Sequence, residues 1–314
     1  MPQELGAHAV WVSKVDDVCA AFGLMDRTDL MPLRGGTANI SFTVGSTQRV
    51  ILTFCVDKTV DEARRLVQLL DHLFDHGFSS NRVLRTLDGA ALYLVEGIAV
   101  VAKRFIDGAT VQAVDGTLAP RIGALIGRLH LVPAPGWLRT EHGMGRSDMI
   151  GLAAGARHAD FAAWLDQVVV EQDWAWDALP RGFVHGDLFP DNLVLGEHQL
   201  VAIDFEESCQ HPFVFDIGMA LVGLAHIESL SPYAVRQVVG GYHAVRPLDA
   251  AELQAIPTMF ECAAAATGSW RYRTAQRAGA PRGEVRDWRK MRAVYDDSRA
   301  WRRDGRWSEA LDTA

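Results

Sequence analysis

The stretch FVHGDLFPDNLVLGEHQLVAIDFEE, residues 183–207, decides the fold, because its polar residues are spaced around a predicted hairpin. His185, Asp187 and Asn192 form an HxDxxxxN pattern. Two short apolar runs, residues 193–195 and 200–203, flank a turn at residues 196–198 and predict two antiparallel strands. Asp204 follows the second run. We therefore expect Asn192 and Asp204 to lie side by side at the open end of the hairpin.

This set of side chains fits metal-assisted phosphoryl transfer. Mg²⁺ prefers oxygen ligands, and the transition state needs mainly positioning and charge neutralisation. In kinase chemistry the aspartate of HxDxxxxN orients the acceptor hydroxyl and takes its proton, while the asparagine and a later aspartate hold Mg²⁺. We predict Asp187 as the catalytic base, His185 as a residue that shapes its loop, and Asn192 and Asp204 as metal ligands. The alternative, solvated turn residues, explains each polar residue singly but not their combination.

The same residues carry a resemblance to a known family. Residues 185–192 resemble the catalytic loop of the aminoglycoside phosphotransferase and choline kinase superfamily, which has a protein-kinase-like fold. Within that superfamily, residues 188–192 are similar to the type II homoserine kinases. So are residues 241–248, GYHAVRPL, together with Glu252 and Pro257. The resemblance extends over residues 30–278.

The resemblance implies an α+β, bilobal protein-kinase-like fold. It predicts a small nucleotide-binding lobe with an antiparallel sheet over residues 1–106 and a mostly helical catalytic and acceptor-binding lobe over residues 107–314. ATP and Mg²⁺ are the expected cofactors. In this fold a glycine-bearing loop covers the phosphates, because glycine lets backbone amides approach an anion closely, and the adenine docks at the hinge between the lobes. The candidate ATP-binding residues are Gly35, Gly36, Thr37, Asn39, Ser41, Thr53, Phe105 and Ile106.

Thr53 departs from the superfamily pattern. The strand that contains it usually carries a lysine that holds the α and β phosphates, and the homoserine kinase subgroup is similar to this chain in often lacking that lysine. Arg49, Lys58 and Lys103 are the basic residues that remain as substitutes. Glu62, the candidate partner of such a lysine, is better explained as a residue that favours a helix N-terminus.

The acceptor site is predicted from charge. Asp187 meets the acceptor hydroxyl, Glu206 and Glu207 suit an ammonium group, and Arg271 or Arg273 suits a carboxylate. Homoserine is the first acceptor on the resemblance. One alternative is an aminoglycoside or another amino alcohol, because a fold does not fix its substrate. Another is a nucleotide-binding module without turnover, which the missing lysine alone supports.

Composition limits the remaining possibilities. The chain has 31 basic and 39 acidic residues and a net charge of −8, which argues against a nucleic-acid partner. Four widely separated cysteines without CxxC spacing indicate reduced thiols. There is no signal-peptide pattern and no apolar run of membrane-spanning length. We expect a cytoplasmic protein with a small-molecule hydroxyl acceptor and no membrane partner, and a monomer and a dimer stay open.

Local patterns predict several further elements. Residues 13–16 suggest a capping box that opens a helix, and Asp88-Gly89 suggests a hairpin of residues 83–87 and 91–95. Apolar residues at helical spacing predict amphipathic helices that include residues 117–130 and 161–168. The resemblance implies that Asp216, at a helix start, supports the catalytic loop through hydrogen bonds. Arg139, Glu141 and His142 are candidates for substrate contacts, with solvent exposure as the alternative.

Overall fold

The structure, a computed structural model, describes residues 10–33, 39–172, 174, 176–197, 199–227, 230–276 and 287–312. The chain divides into two compact units, Met1–Asp107 and Gly108–Ala314. The predicted phosphate-loop residues Gly35, Gly36 and Thr37 lie outside the described residues. The assignment of nucleotide binding to the first unit stays a prediction.

The first unit is built on an antiparallel sheet. Its strands are β1 (Met31–Pro32), β2 (Ile40–Val44), β3 (Val50–Phe54), β4 (Tyr93–Val95) and β5 (Ile98–Arg104), and their order in the sheet is β1–β2–β3–β5–β4. Its helices are α1 (Val15–Ala21) and α2 (Val60–Asp75). Alternate strand residues pack with the apolar face of α1 into one core, which includes Val18, Phe42, Leu52, Phe54 and Val100. Burial of this apolar surface is the main stabilising contribution.

The hairpin predicted around Asp88-Gly89 is wrong. β4 pairs with β5 instead, through a two-residue turn at Glu96 and Gly97. Both turn residues have positive φ, 52° and 82°, as a type I′ turn requires, and the twist of that turn suits adjacent strands. Residues 86–90 form a closed local turn, in which the Thr86 hydroxyl accepts the Ala90 N–H at 2.8 Å. In place of the predicted strand at residues 83–87, Val83 forms an isolated bridge with Lys103.

The capping box predicted at Ser13 is also wrong. The Ser13 hydroxyl donates to the Val10 carbonyl at 3.4 Å, a bond to the preceding turn, and Lys14 occupies the N-cap with helical φ and ψ. An N-cap needs an extended backbone to turn its side chain to the helix N–H groups. A complete capping box instead opens α2, where Thr59 and Glu62 exchange hydrogen bonds of 3.2 and 2.7 Å. Glu62 therefore serves the helix N-terminus, as expected.

The second unit is mostly helical. Its helices are α3 (Leu118–His130), α4 (Arg146–Ala154), α5 (Ala159–Glu171), α6 (Val214–Ile227), α7 (Pro232–His243), α8 (Ala250–Ala275), α9 (Trp288–Arg303) and α10 (Arg306–Leu311). Its strands are β6 (Ala109–Thr110), β7 (Arg181–Val184), β8 (Leu193–Leu195), β9 (Leu200–Ala202) and β10 (Cys209–Pro212). β7 pairs with β10, and β6, β8 and β9 form a second antiparallel sheet.

The amphipathic helices predicted in this unit are confirmed. α3 buries Ile122, Leu125, Ile126 and Leu129, and α5 buries Phe161, Trp164, Leu165 and Val168. Within the part of the chain that the structure describes, no helix has both the length and the apolar character needed to cross a membrane.

Candidate active site

The catalytic loop follows strand β7 and passes tightly against the backbone of residue 207. Val184, the last residue of β7, pairs with Cys209 of β10, so the loop emerges beside the segment that precedes β10. Gly186 has a φ of +83°, and a Cβ there would lie 2.5 Å from the carbonyl oxygen of Glu207. Only glycine accepts this conformation and this approach without strain. The glycine between the histidine and the aspartate of the motif is therefore a packing requirement.

Asp216 fixes the backbone of the loop. Its buried carboxylate accepts the His185 N–H at 2.7 Å and the Gly186 N–H at 2.9 Å. Burial raises the pKa of Asp216, but hydrogen bonds and charges from its neighbours outweigh burial and hold the pKa below its usual value. This confirms the hydrogen-bonding role expected for Asp216.

His185 connects the loop to the exit of the hairpin. Burial lowers the pKa of His185, so its ring is neutral. The ring nitrogen Nε2 lies 2.9 Å from the Ile203 carbonyl and donates to it, while Nδ1 accepts the Asp187 N–H at 3.3 Å. His185 thus links the Asp187 backbone to Ile203, the residue that precedes Asp204.

The hairpin predicted after the loop is confirmed, and it carries the candidate metal ligands. β8 and β9 pair antiparallel with Leu193 opposite Ala202, and the Ile203 N–H donates to the Asn192 carbonyl at 2.9 Å. Asp204 follows directly, exposed and in a left-handed conformation with a φ of 65°. The structure therefore places Asn192 and Asp204 at adjacent strand ends.

Asn192 also holds Asp187. Its amide nitrogen donates to the Asp187 main-chain carbonyl at 2.8 Å and to the carboxylate oxygen Oδ2 at 3.0 Å. Burial and, to a smaller extent, the charges of Asp204, Asp191 and Glu207 together raise the pKa of Asp187 to about 7, although the Asn192 hydrogen bond opposes them. A carboxylate with a pKa near neutrality is suited to accept a proton from a hydroxyl group. Neighbouring carboxylates also favour a bound cation, since it would relieve their mutual repulsion.

The donor set fits a magnesium ion. Asn192 turns its amide nitrogen to Asp187, so the amide oxygen is the atom that would ligate a cation, together with the Asp204 carboxylate. Among the described residues, no group of three or more His, Cys, Asp or Glu side chains is placed to hold a metal. Mg²⁺ is commonly bound by one or two carboxylates and completes its shell with water and phosphate oxygens, so this sparse set suits it.

A second loop packs against the catalytic loop. His142 is buried, and its Nε2 donates to the Gly186 carbonyl at 3.0 Å while its Nδ1 accepts the Met144 N–H at 3.2 Å. Arg139 donates to the Ser208 carbonyl at 3.1 Å and to the Glu207 carboxylate at 2.7 Å. The sequence offered Arg139 and His142 as candidates for substrate contacts or as solvent-exposed residues, and a substrate contact stays a prediction. The contacts with the catalytic loop and with residues 207–208 were missed, because no local pattern reveals a contact across so many residues.

The predicted acceptor residues have different surroundings. Burial raises the pKa of Glu207, but the charge and hydrogen bond of Arg139 outweigh it and keep the pKa low, with a smaller contribution from Arg273. Arg273 is exposed on α8, and Glu206 is half-buried beside Glu207. Arg271 is buried and donates to the Asp287 carbonyl at 3.5 Å.

The described candidates for nucleotide binding lie in the first unit. Ser41 of β2 faces Thr53 of β3, and their hydroxyl groups are 3.1 Å apart. Phe105 and Ile106 follow β5, and the Arg49 guanidinium lies 3.9 Å from the centre of the Phe105 ring. Arg49 also forms an ion pair with Asp107.

Asn39 lies directly before β2, and Lys103 is on β5 opposite Ile51. Lys58 is in the turn after β3. The contact of these residues with ATP, and the choice of a substitute for the missing lysine, stay predictions.

Comparison with known proteins assigns the family. A family model described as a phosphotransferase enzyme family (APH) matches residues 29–294. A homoserine kinase of Azorhizobium caulinodans is 28% identical over 267 residues, which cover 81% of this chain and 83% of that protein. A homoserine kinase of Caulobacter sp. is 30% identical over 281 residues, which cover 82% and 85%. The chain therefore belongs to the phosphotransferase enzyme family.

Solved structures agree with this fold. The amicoumacin kinase hAmiN, in complex with AMP-PNP, Ca²⁺ and Ami, superposes with a TM-score of 0.73 at 15% identity, over 95% of this chain and 96% of that one. The choline kinase of Cryptosporidium parvum Iowa II gives a TM-score of 0.68 at 12% identity, over 94% and 97%. The predicted protein-kinase-like fold is thereby confirmed. The protein is an ATP-dependent phosphotransferase with an alcohol group as acceptor.

Proposed function

We propose that this enzyme transfers the γ-phosphoryl group of ATP to the hydroxyl of a small amino acid, with homoserine as the first choice and Mg²⁺ as the metal. The observation that carries the proposal is the Asn192 side chain, which holds the Asp187 carboxylate at 3.0 Å while Asp204 lies at the adjacent strand end. Curated homoserine kinases that match about four-fifths of the chain support the acceptor.

Asp187 is the proton acceptor in this proposal. Asn192 binds its oxygen Oδ2, so Oδ1 is the atom that takes the hydroxyl proton. The acceptor oxygen then bonds to the γ-phosphorus as the bond to the ADP oxygen breaks, and ADP carries away the electron pair. The pKa of Asp187, about 7, lets the carboxylate take this proton near neutral pH.

Asn192 and Asp204 would hold the Mg²⁺ ion. When bound, the ion would neutralise charge on the phosphate oxygens. The chain itself contributes the placement, because the β8–β9 hairpin sets the separation of these two ligands and Asn192 couples their position to that of Asp187.

Charges near the catalytic loop favour a zwitterionic acceptor. Arg139 and Glu207 form an ion pair of 2.7 Å, and the charge of Arg273 acts on the same glutamate. Both signs of charge are thus present, which suits an amino acid with its ammonium and carboxylate groups. A polycationic aminoglycoside offers no carboxylate to the basic residues Arg139 and Arg273, so an amino acid uses both signs of charge more fully.

The test is Mg²⁺- and ATP-dependent ADP release with L-homoserine, other hydroxyl amino acids, choline, ethanolamine and aminoglycosides. We expect turnover with homoserine and loss of turnover on chelation of the metal. The variant Asp187→Asn should retain ATP binding and lose about 10²–10⁴-fold in kcat, the usual contribution of a general base.

The control is Asp166→Asn, an exposed carboxylate on α5, which should stay within about threefold of wild type. An Asp187→Asn enzyme within tenfold of wild type would refute the assignment of the base. Turnover with aminoglycosides alone would refute the acceptor, and ATP binding without turnover on any acceptor would favour a nucleotide-binding module.

A further inference from the structure

A chain of hydrogen bonds connects the catalytic loop to the turn between α7 and α8. Asp216, which holds the loop backbone, lies 3.1 Å from Nε2 of His130 on α3. Nδ1 of His130 lies 2.8 Å from the hydroxyl of Tyr242 on α7, and that hydroxyl lies 3.1 Å from the guanidinium of Arg246. The side chains of Asp216, His130 and Tyr242 are buried, so water does not compete for these bonds.

The chemistry of the groups fixes the direction of each bond. The Asp216 carboxylate only accepts, so His130 must carry its proton on Nε2. Burial lowers the pKa of His130, so the ring is neutral and its Nδ1 is an acceptor. The Tyr242 hydroxyl must therefore donate to Nδ1, and its oxygen accepts from Arg246, which can only donate. A cation at one end and an anion at the other polarise the whole chain in one direction.

Arg246 is itself held in place. Its guanidinium donates to the buried carboxylate of Glu252 at 2.8 Å and lies 4.3 Å from the centre of the Phe213 ring. Glu252 forms the capping box of α8 with Asp249, so the carboxylate is anchored to the helix start. The segment 241–248, for which the sequence alone indicated no role, thus supplies Tyr242 and Arg246 to this chain of hydrogen bonds, and Glu252 anchors its outer end.

We propose that Tyr242 is a positioning residue for phosphoryl transfer: its hydroxyl fixes the His130 tautomer that donates to Asp216, and Asp216 in turn holds the His185 and Gly186 backbone beside Asp187. This rests on the proposed function of the site. Tyr242 touches no reacting atom, and it acts on the reaction only through the loop.

Loss of the hydroxyl has a specific consequence. Tyr242→Phe keeps the buried ring and removes the donor to Nδ1, so the Nδ1–H tautomer of His130 is no longer excluded. In that tautomer a lone pair on Nε2 faces the Asp216 carboxylate, and the bond of 3.1 Å is lost. Asp216 then holds the catalytic loop less firmly, which affects the placement of Asp187 more than the binding of ATP.

The first measurement reads the tautomer without any turnover. In protein labelled with ¹⁵N-histidine, the ring nitrogens of His130 should report the Nε2–H form in wild type and a mixture of tautomers in Tyr242→Phe. Tyr233→Phe is the matched control, since Tyr233 lies on the same helix with its side chain exposed. It should leave the His130 signals unchanged.

The second measurement is steady-state kinetics. Tyr242→Phe should lower kcat about tenfold and leave the KM for ATP within twofold, whereas a general loss of folded enzyme would lower the apparent kcat in proportion to the folded fraction measured by circular dichroism. An unchanged tautomer in Tyr242→Phe would overturn the hydrogen-bond chain, and a changed tautomer with unchanged kcat would overturn the positioning role. If the wild-type enzyme transferred phosphate to no acceptor, the proposed function would fail. The tautomer measurement would still test whether the hydrogen-bond chain from Tyr242 to Asp216 exists.

Discussion

Gly186 shows how one residue without a side chain places the catalytic base. Alanine at this position would adopt a φ of +83° and bring its Cβ to 2.5 Å from the Glu207 carbonyl oxygen. The left-handed conformation costs about 1–2 kcal/mol, and the clash adds roughly 1–3 kcal/mol. We expect Gly186→Ala to lower the free energy of unfolding by more than 2 kcal/mol and to reduce kcat at least tenfold.

Gly89 provides the matched control for this substitution. Its φ is +85°, but a Cβ there would meet nothing within 4 Å in the part of the chain that the structure describes. Gly89→Ala therefore measures the conformational cost alone, about 1–2 kcal/mol. Urea denaturation of both variants separates the two contributions, and equal losses of stability would contradict the contact with Glu207.

The sequence predicted which residues lie close together where their separation along the chain determines their distance in the fold. Asp187, Asn192 and Asp204 lie on one loop and one hairpin, so their proximity follows from strand pairing. Tyr242 could not be assigned in the same way. It lies 112 residues from His130, its partner, and no local pattern encodes a contact between two helices that distant in sequence.

At the scale of elements, α3 and α7 touch through their backbones. A Cβ on Gly241 of α7 would lie 2.1 Å from the Pro120 carbonyl oxygen, and one on Gly123 of α3 would lie 1.9 Å from the Val238 carbonyl oxygen. Each glycine makes room for the other helix. Because α3 carries His130 and α7 carries Tyr242, this close approach also sets the 2.8 Å bond between them.

The adjacent glycine allows a direct comparison. We expect Gly241→Ala to destabilise the protein by roughly 1–3 kcal/mol through overpacking and to lower kcat, because it would push Tyr242 away from His130. Gly240→Ala, where a Cβ would meet none of the described residues within 4 Å, should be neutral or stabilise the helix by up to about 1 kcal/mol. Urea midpoints and kcat of the two variants provide the test, and similar effects of both would argue against the backbone contact.

Elements were predictable where one local signal had no competitor. The apolar stripes of α3 and α5 were enough to predict those helices, because each helix buries one face. The hairpin predicted at Asp88-Gly89 does not form. Glu96 and Gly97 instead form a type I′ turn, whose twist matches that of the paired strands β4 and β5. Which of two competing turns forms depends on the sheet that each would complete, and that information is not local.

At the scale of the whole molecule, the second unit contains several neutral buried histidines. Burial lowers the pKa values of His130, His142, His185 and His211. Above the ordinary histidine pKa of about 6.5, the folded and unfolded chains are both neutral at these positions. As the pH falls below that value, the unfolded chain takes up protons that the folded chain does not, so the free energy of unfolding must fall.

His211 is the clearest contributor to this acid sensitivity. Burial lowers its pKa to about 3, with smaller contributions from His142 and Arg181, and its buried Nδ1 has no hydrogen-bond partner among the described residues. Between pH 6.5 and 5 the folded ring stays neutral while the unfolded ring is protonated, which corresponds to about 2 kcal/mol. His211→Phe and His211→Asn both remove this titration. Both should therefore reduce the loss of unfolding free energy between pH 7.5 and 5 by about 2 kcal/mol.

The two variants differ in polarity and so in their stability at pH 7.5. Because both lack the titrating ring, both should show the same smaller dependence of the free energy of unfolding on pH. Urea denaturation at the two pH values measures that slope directly. A wild-type slope in either variant would mean that the folded protein accommodates the charged His211 ring, and the acid sensitivity would then belong to the three histidines around the catalytic loop.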